Sequence, residues 1–204
     1  MSDTSRLIAA IAALAAGLCL FAGHLLGLIA YPAEGSVAGS LFVLAGHTLA
    51  VFPLIALAAF LRPGFVSLLG ALGCVLSTIG TVLTSAVVYV ETAELAGADA
   101  SPVWAAAPAA SIQAFGPLVF VAGLLLLAGC LLAGAWRVRV TGLLLMAGTV
   151  LFAAGSVFSA PFTQAIVETI GSGVTAAGFF SGGLLLLSGN SVNYKNGGRL
   201  PYTA

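Results

Sequence analysis

Charge is what this sequence has least of. Lysine, arginine, aspartate and glutamate make up 6% of the 204 residues while 61% are hydrophobic, and soluble domains carry roughly a quarter charged residues. That scarcity excludes a solvated globular surface, a disordered chain and a basic face for nucleic acid. Cysteine is nearly as scarce. Cys19, Cys74 and Cys130 stand singly in apolar runs, with no CxxC pair and no histidine at metal-ligand spacing, so neither a disulfide framework nor a zinc site is supported. The chain also lacks GxxxxGKS/T, a GxGxxG after a strand, a Ser-His-Asp elbow and HExxH. The expectation is a non-enzymatic protein with no resident cofactor and no nucleic-acid partner.

What the chain has in quantity is apolar length. About 20 apolar residues cross a bilayer at 1.5 Å each, and six such runs occur, at about 7–30, 37–61, 65–90, 114–136, 140–160 and 166–189. The expected fold is therefore all-α: a polytopic membrane protein of six transmembrane helices, built as three antiparallel hairpins in a single domain over 1–189. A flexible cytoplasmic tail follows over 190–204. The first run reads as a span rather than a secretory signal, because its apolar stretch of about 24 residues exceeds the usual signal core.

The few charges are informative by position. Arg6, Arg62, Arg137, Arg139, Lys195 and Arg199 all fall in the tails or in the turns between spans 2 and 3 and spans 4 and 5. Glu34, Glu91, Glu94, Asp99 and Glu168 fall on the other side, leaving Asp3 as the one acidic residue among the bases. Because basic loops are retained in the cytoplasm during insertion, this pattern predicts both termini inside, in a bacterial cytoplasmic (inner) membrane. Short links make consecutive spans antiparallel neighbours. The one long link, about 91–113 with Pro102, Trp104 and Pro108, suits either an interfacial segment or a lid over an outer cavity.

Small residues repeat. Gly73, Val75, Leu76, Gly80 and Thr81 of the third span align at one offset with Gly148, Val150, Leu151, Gly155 and Ser156 of the fifth. Gly123 to Gly129 of the fourth matches Gly183 to Gly189 of the sixth, and Gly23-His24 aligns loosely with Gly80-Thr81. The expected unit is a hairpin used three times in parallel orientation. Gly23 and Gly27, Gly35 and Gly39, and Gly178 and Gly182 form GxxxG pairs, which let helix backbones approach closely. They offer faces for a membrane partner or a second copy, and the bilayer is the partner common to every reading.

Polar groups inside the spans form a short series. His24 and His47, the only histidines, lie about 9 and 15 Å below the acidic side at 1.5 Å per residue. Facing imidazoles are either hydrogen-bonded structural groups, proton or ligand handlers, or axial ligands to haem b. Glu91, Gln113 and Glu168 sit near the outer interface, where with His24 they form one pocket if the bundle closes. Glu168 is expected in the first turn of its helix, where the positive dipole end favours it. Ser77, Thr78, Thr81, Thr84 and Ser85 give the third span a hydroxyl face, either lining a solute path or bonding between helices. Pro53 is expected to kink the second span just past His47.

Gly46-His47, Leu68 to Gly73, Glu91 and the Gly-Leu-Leu-Leu-Leu run at Gly123 resemble those of small, uncharacterised six-pass membrane proteins of high-GC bacteria. The resemblance implies the same six-span fold and carries no activity. The functional expectation is an accessory or scaffold subunit. The alternatives are a small-solute carrier or channel with an outward-facing His/Glu pocket, and a haem b electron carrier through His24 and His47.

Overall fold

A computed structural model of the chain describes residues 1–32, 35–61 and 64–188. Among them are seven α-helices and no strand: α1 (Asp3–Ala30), α2 (Val37–Leu57), α3 (Phe65–Leu95), α4 (Ser101–Trp104), α5 (Ala107–Leu131), α6 (Trp136–Gly155) and α7 (Pro161–Leu187). A 3-10 turn over Ala58–Phe60 prolongs α2. All but α4 are long and apolar enough to cross a membrane. Glu34, Arg62, Lys195, Arg199 and the expected tail over 190–204 lie outside the described residues.

Local chemistry sets the helix ends. The hydroxyls of Ser2 and Ser36 accept from the backbone N–H of Ser5 and Gly39, capping α1 and α2. Helices α5, α6 and α7 begin at 107, 136 and 161 rather than the expected 114, 140 and 166. Pro108 and Pro161 read as loop residues in the sequence, yet in a first helical turn the missing proline N–H has no intrahelical partner to lose. Arg137 and Arg139 are likewise inside α6, where long stems keep charged heads at the interface while the backbone stays helical. At the other extreme α3 continues past 90 to Leu95. Gly97, at φ 94, then turns the chain, its N–H donating to the Glu94 carbonyl at 2.8 Å.

Along the helix seams small residues face inward and large apolar ones outward. Ile11, Leu18, Val82, Leu118, Leu143 and Leu184 are about half exposed or more on the outer surface, whereas Ala10, Ala13, Ala16, Ser77 and Thr81 are fully buried. In water the reverse arrangement would win. In lipid, acyl chains solvate large side chains as well as the protein does, so the drive that remains is close backbone approach.

That approach is made by a recurring pair of glycine seats. Helix α1 packs antiparallel on α2, α3 on α5 and α6 on α7, and contacts of α2 with α3, α5 with α6 and α7 with α1 close the six into a ring. In the first pair Gly23 faces Val43 and Gly46 faces Leu20; in the second Gly80 faces Phe120 and Gly123 faces Ser77. In the third Gly155 faces Glu168 and Gly171 faces Phe152. Each pair thus carries glycine on both helices, placed where the partner comes close. The expected match of Gly123 with Gly183 is not the packing equivalence. Gly183 lies against Ala10 and Leu14 of α1, and Gly171 holds the seat that corresponds to Gly123, its Cβ position meeting the Phe152 backbone as that of Gly123 meets the Ser77 backbone.

The GxxxG glycines are used within the chain. Gly23 lies against Gly39, Gly35 against Leu95, Gly178 against Leu145 and Gly182 against Leu57, while Gly27 alone of the six faces open space. They form internal seams, not the free oligomer faces anticipated from the sequence. Among side chains, the Thr141 and Ser181 hydroxyls join α6 to α7 at 2.8 Å, and the Cys74 thiol donates to the Leu54 carbonyl at 3.3 Å.

The core is lopsided. Leu54, Leu57, Leu127, Leu131, Leu145, Phe179 and Leu186 are buried in the half of the bundle toward the start of α1 and the end of α7. The opposite half is hollow.

Candidate ligand cavity

The hollow half holds a cavity of about 1210 Å³ bordered by all six long helices. Its mouth lies at the ends of α1, α3 and α6 and the starts of α2, α5 and α7. It narrows toward His47, Leu124, Thr149, Ser172 and Thr175 and is closed beyond them by the leucine and phenylalanine core. Charge separates between the two ends except for Asp3, which pairs with Arg6 at the start of α1. Glu91, Glu94, Asp99 and Glu168 lie at the mouth end, and Arg6, Arg137 and Arg139 at the plugged end.

Of the residues expected from the sequence, four come together here: His24, His47, Glu91 and Glu168 all border the cavity. Gln113 does not; it is exposed, and the part of α5 that lines the wall starts at Pro117. Ser77 and Thr81 do not either. Both are 0% exposed, because the seam that seats Gly123 on the Ser77 backbone runs along this face of α3. Ser77 donates back to the Cys74 carbonyl at 3.1 Å. Glu168 falls in the second turn of α7 rather than the first, since that helix starts at Pro161. Neighbouring donors therefore hold it in place of the helix dipole: Gln164 Nε2 at 2.9 Å and the Ser156 hydroxyl at 3.1 Å.

His47 forms the floor with a defined partner. Its Nδ1 lies 2.9 Å from Thr81 Oγ1, and the same hydroxyl lies 3.3 Å from the His47 carbonyl oxygen, to which it donates. A threonine has one hydroxyl proton. With that proton given to the carbonyl, Nδ1–H must be the donor to Oγ1, which leaves Nε2 as a bare acceptor. The ring also stands edge-on to Phe120, with centroids 5.1 Å apart. His24 is held differently. Its ring stands edge-on to Phe152 at 4.9 Å, and its carbonyl accepts from the Thr169 hydroxyl at 3.2 Å.

One carboxylate joins the group beyond those expected: Glu94 lies with Glu91 at the mouth and accepts from Trp104 Nε1 at 2.9 Å, which ties α4 and the long link to the rim. Asp99, beyond α3 and off the cavity lining, accepts from the Ser101 hydroxyl and from the Ser101 backbone N–H at 3.0 Å; these bonds hold its carboxyl below the usual range. Of the expected hydroxyl face, Thr84 borders the cavity one turn above Thr81. Thr149 and Thr169, on the same cavity, donate back to the carbonyls of Leu145 and Ala165. Thr84 is 9% exposed and its buried hydroxyl has no partner. The signal was present in the spacing: Thr84, Val87, Val88, Glu91, Glu94 and Leu95 form one i, i+3, i+4 stripe.

Among the described residues no group of three or more His, Cys, Asp or Glu side chains is arranged to hold a metal ion. No family model, curated protein or solved structure matches this chain. Its function is argued from the cavity itself.

Proposed function

We propose that this multi-pass membrane protein binds a small solute in the cavity and is a carrier or receptor rather than a scaffold subunit. One observation carries the reading: a cavity bordered by all six long helices descends from the acidic end to His47 and stops at a packed core. A scaffold gains nothing from leaving half its bundle hollow, since each void forfeits dispersion contacts. Binding pockets typically span about 300–1,000 Å³, so the volume suits a small organic molecule with its hydration. The plug argues for a site reached from one face, not for an open channel.

Orientation follows from the charges. With Arg6, Arg137 and Arg139 at the plugged end, retention of basic segments in the cytoplasm places the mouth outside and both termini inside a bacterial cytoplasmic membrane. The three glycine-seated pairs read as one antiparallel hairpin repeated three times around the bundle. The site binds rather than catalyses: among the described residues the one hydroxyl paired with an imidazole, on Thr81, is fully buried and already committed to the His47 carbonyl. The haem reading requires His24 and His47 to reach one iron, yet each ring is packed against its own phenylalanine on a different helix. The purified protein is accordingly expected to show no Soret band; a bis-histidine spectrum abolished by His47→Ala would reinstate haem.

Cysteine accessibility tests both the cavity and its direction, in a background where Cys19, Cys74 and Cys130 are alanine. In intact cells a membrane-impermeant thiol reagent is expected to modify Ser36→Cys and Thr84→Cys, and to modify Arg139→Cys only after permeabilisation. Ser77→Cys, inside the α3–α5 seam, stays unmodified throughout. Protection of Thr84→Cys from both sides would remove the cavity, and labelling of Arg139→Cys in intact cells would invert the orientation.

A further inference from the structure

We propose that the solute is an organic cation: a positively charged amine or onium group carried on an apolar body. This rests on the solute-binding reading and adds the sign and class of the ligand.

Among the described residues three carboxylates border the cavity, Glu91, Glu94 and Glu168, and no lysine or arginine does. The partners of Glu94 and Glu168 are neutral donors, namely an indole, an amide and a hydroxyl. They orient the carboxylates without cancelling their charge. A mouth lined by one sign of charge between low-dielectric helices concentrates the opposite ion.

Acidic side chains at a helix end are by themselves only a wettable rim. The interior gives the second observation. His47, 7% exposed at the inner end of the lining, presents Nε2 as an acceptor once Nδ1–H is committed to Thr81. Going inward, the lining therefore offers carboxylates and then a neutral acceptor. Among the described residues it contains no lysine or arginine to meet an anionic ligand.

The rest of the wall decides between a bare metal ion and an organic one. Val43, Val87, Val88, Phe120, Val121 and Phe152 border the same space. A small inorganic ion would forgo its hydration there without replacement. An organic cation buries its apolar body against these side chains and rests its weakly hydrated charge on the carboxylates.

The test uses two ions of one shape and opposite charge, on the full-length protein in phosphatidylcholine nanodiscs with empty discs as the blank. Tetraphenylphosphonium is expected to bind saturably and tetraphenylborate not to. The Glu91→Gln/Glu168→Gln pair should weaken the phosphonium by at least about tenfold, the scale of losing a close charge partner. His47→Leu should leave the phosphonium, which has no N–H, unchanged, yet weaken protonated 4-phenylbenzylamine. Equal binding of borate and phosphonium would overturn the charge assignment while leaving a solute cavity. Phosphonium binding unaffected by the carboxylate variant would do the same. Displacement of the phosphonium by micromolar calcium would make the rim an inorganic-ion site and overturn the organic class. If neither probe binds while Thr84→Cys is still labelled, the cation proposal falls alone; if that labelling is lost as well, the solute-binding reading falls with it.

Discussion

Gly123→Val is expected to destabilise the folded bundle by about 3 kcal/mol, the upper end for overpacking a buried site. The size follows from what the new side chain meets. A Cβ at position 123 overlaps the Ser77 nitrogen and the Leu76 carbonyl carbon, which are backbone atoms of a facing helix and cannot rotate aside. Relief requires α3 and α5 to separate along a seam that also holds Gly73 on Leu127 and Gly80 on Phe120. Gly171→Val should cost about as much, its Cβ meeting the Phe152 backbone. Gly46→Val should cost less, since two of its three nearest atoms belong to the mobile Leu20 side chain. Gly27→Ala has nothing within 4 Å and should be neutral or stabilising by up to about 1 kcal/mol through helix propensity. Reversible unfolding in mixed micelles measures the series. Gly123→Val as stable as Gly27→Ala would mean that these seams do not hold the bundle together.

The same series addresses which internal alignment is physical. If Gly171 is the counterpart of Gly123, Gly171→Val should exceed Gly183→Val, whose Cβ comes no closer than 3.1 Å to the Ala10 carbonyl oxygen. The sequence alone favoured the other match because Gly123 and Gly183 each precede four leucines. Four consecutive leucines match in several registers, so the run does not say which of its members a neighbouring helix covers; Leu124, Leu127, Leu185 and Leu186 are the buried ones. The glycines of the odd spans were legible for the opposite reason: Gly73, Gly80, Gly148 and Gly155 each stand where another backbone arrives, so their spacing records the packing.

The site was legible in part on the same grounds. Counting residues from the helix ends put His24, His47, Glu91 and Glu168 in one half of the bundle, and depth suffices to group them. Which way each face turns depends on the ring of contacts between pairs. That is why Ser77 and Thr81, at comparable depth, went into a seam while Thr84, one turn along, came to the cavity. Gln113 was misjudged because α5 starts at Ala107, so its first turns rise before the lining begins at Pro117. The hollow itself had no sequence signal beyond the contrast between the leucine-rich and the hydroxyl-rich halves of the spans.

Thr81→Val is expected to cost about 2 kcal/mol, within the range for leaving a buried donor unsatisfied, and almost nothing when His47 is already leucine. Ordinary side-chain bonds between membrane helices average only about 0.6 kcal/mol, because the separated helices find other partners. This one differs in two respects. The Thr81 hydroxyl serves both the imidazole and the carbonyl of the same residue, and it does so at a fully buried position where no water can replace it. Removing it strands Nδ1–H. Removing His47 instead leaves Thr81 still donating to the residue 47 carbonyl, so His47→Leu should be the milder single change; the corresponding seat after Gly123 already holds Leu124. The double variant should then match His47→Leu alone, giving a coupling close to the whole cost of Thr81→Val. Additive losses in that cycle would refute the shared hydroxyl and with it the assignment of Nε2 as the acceptor presented to the cavity floor.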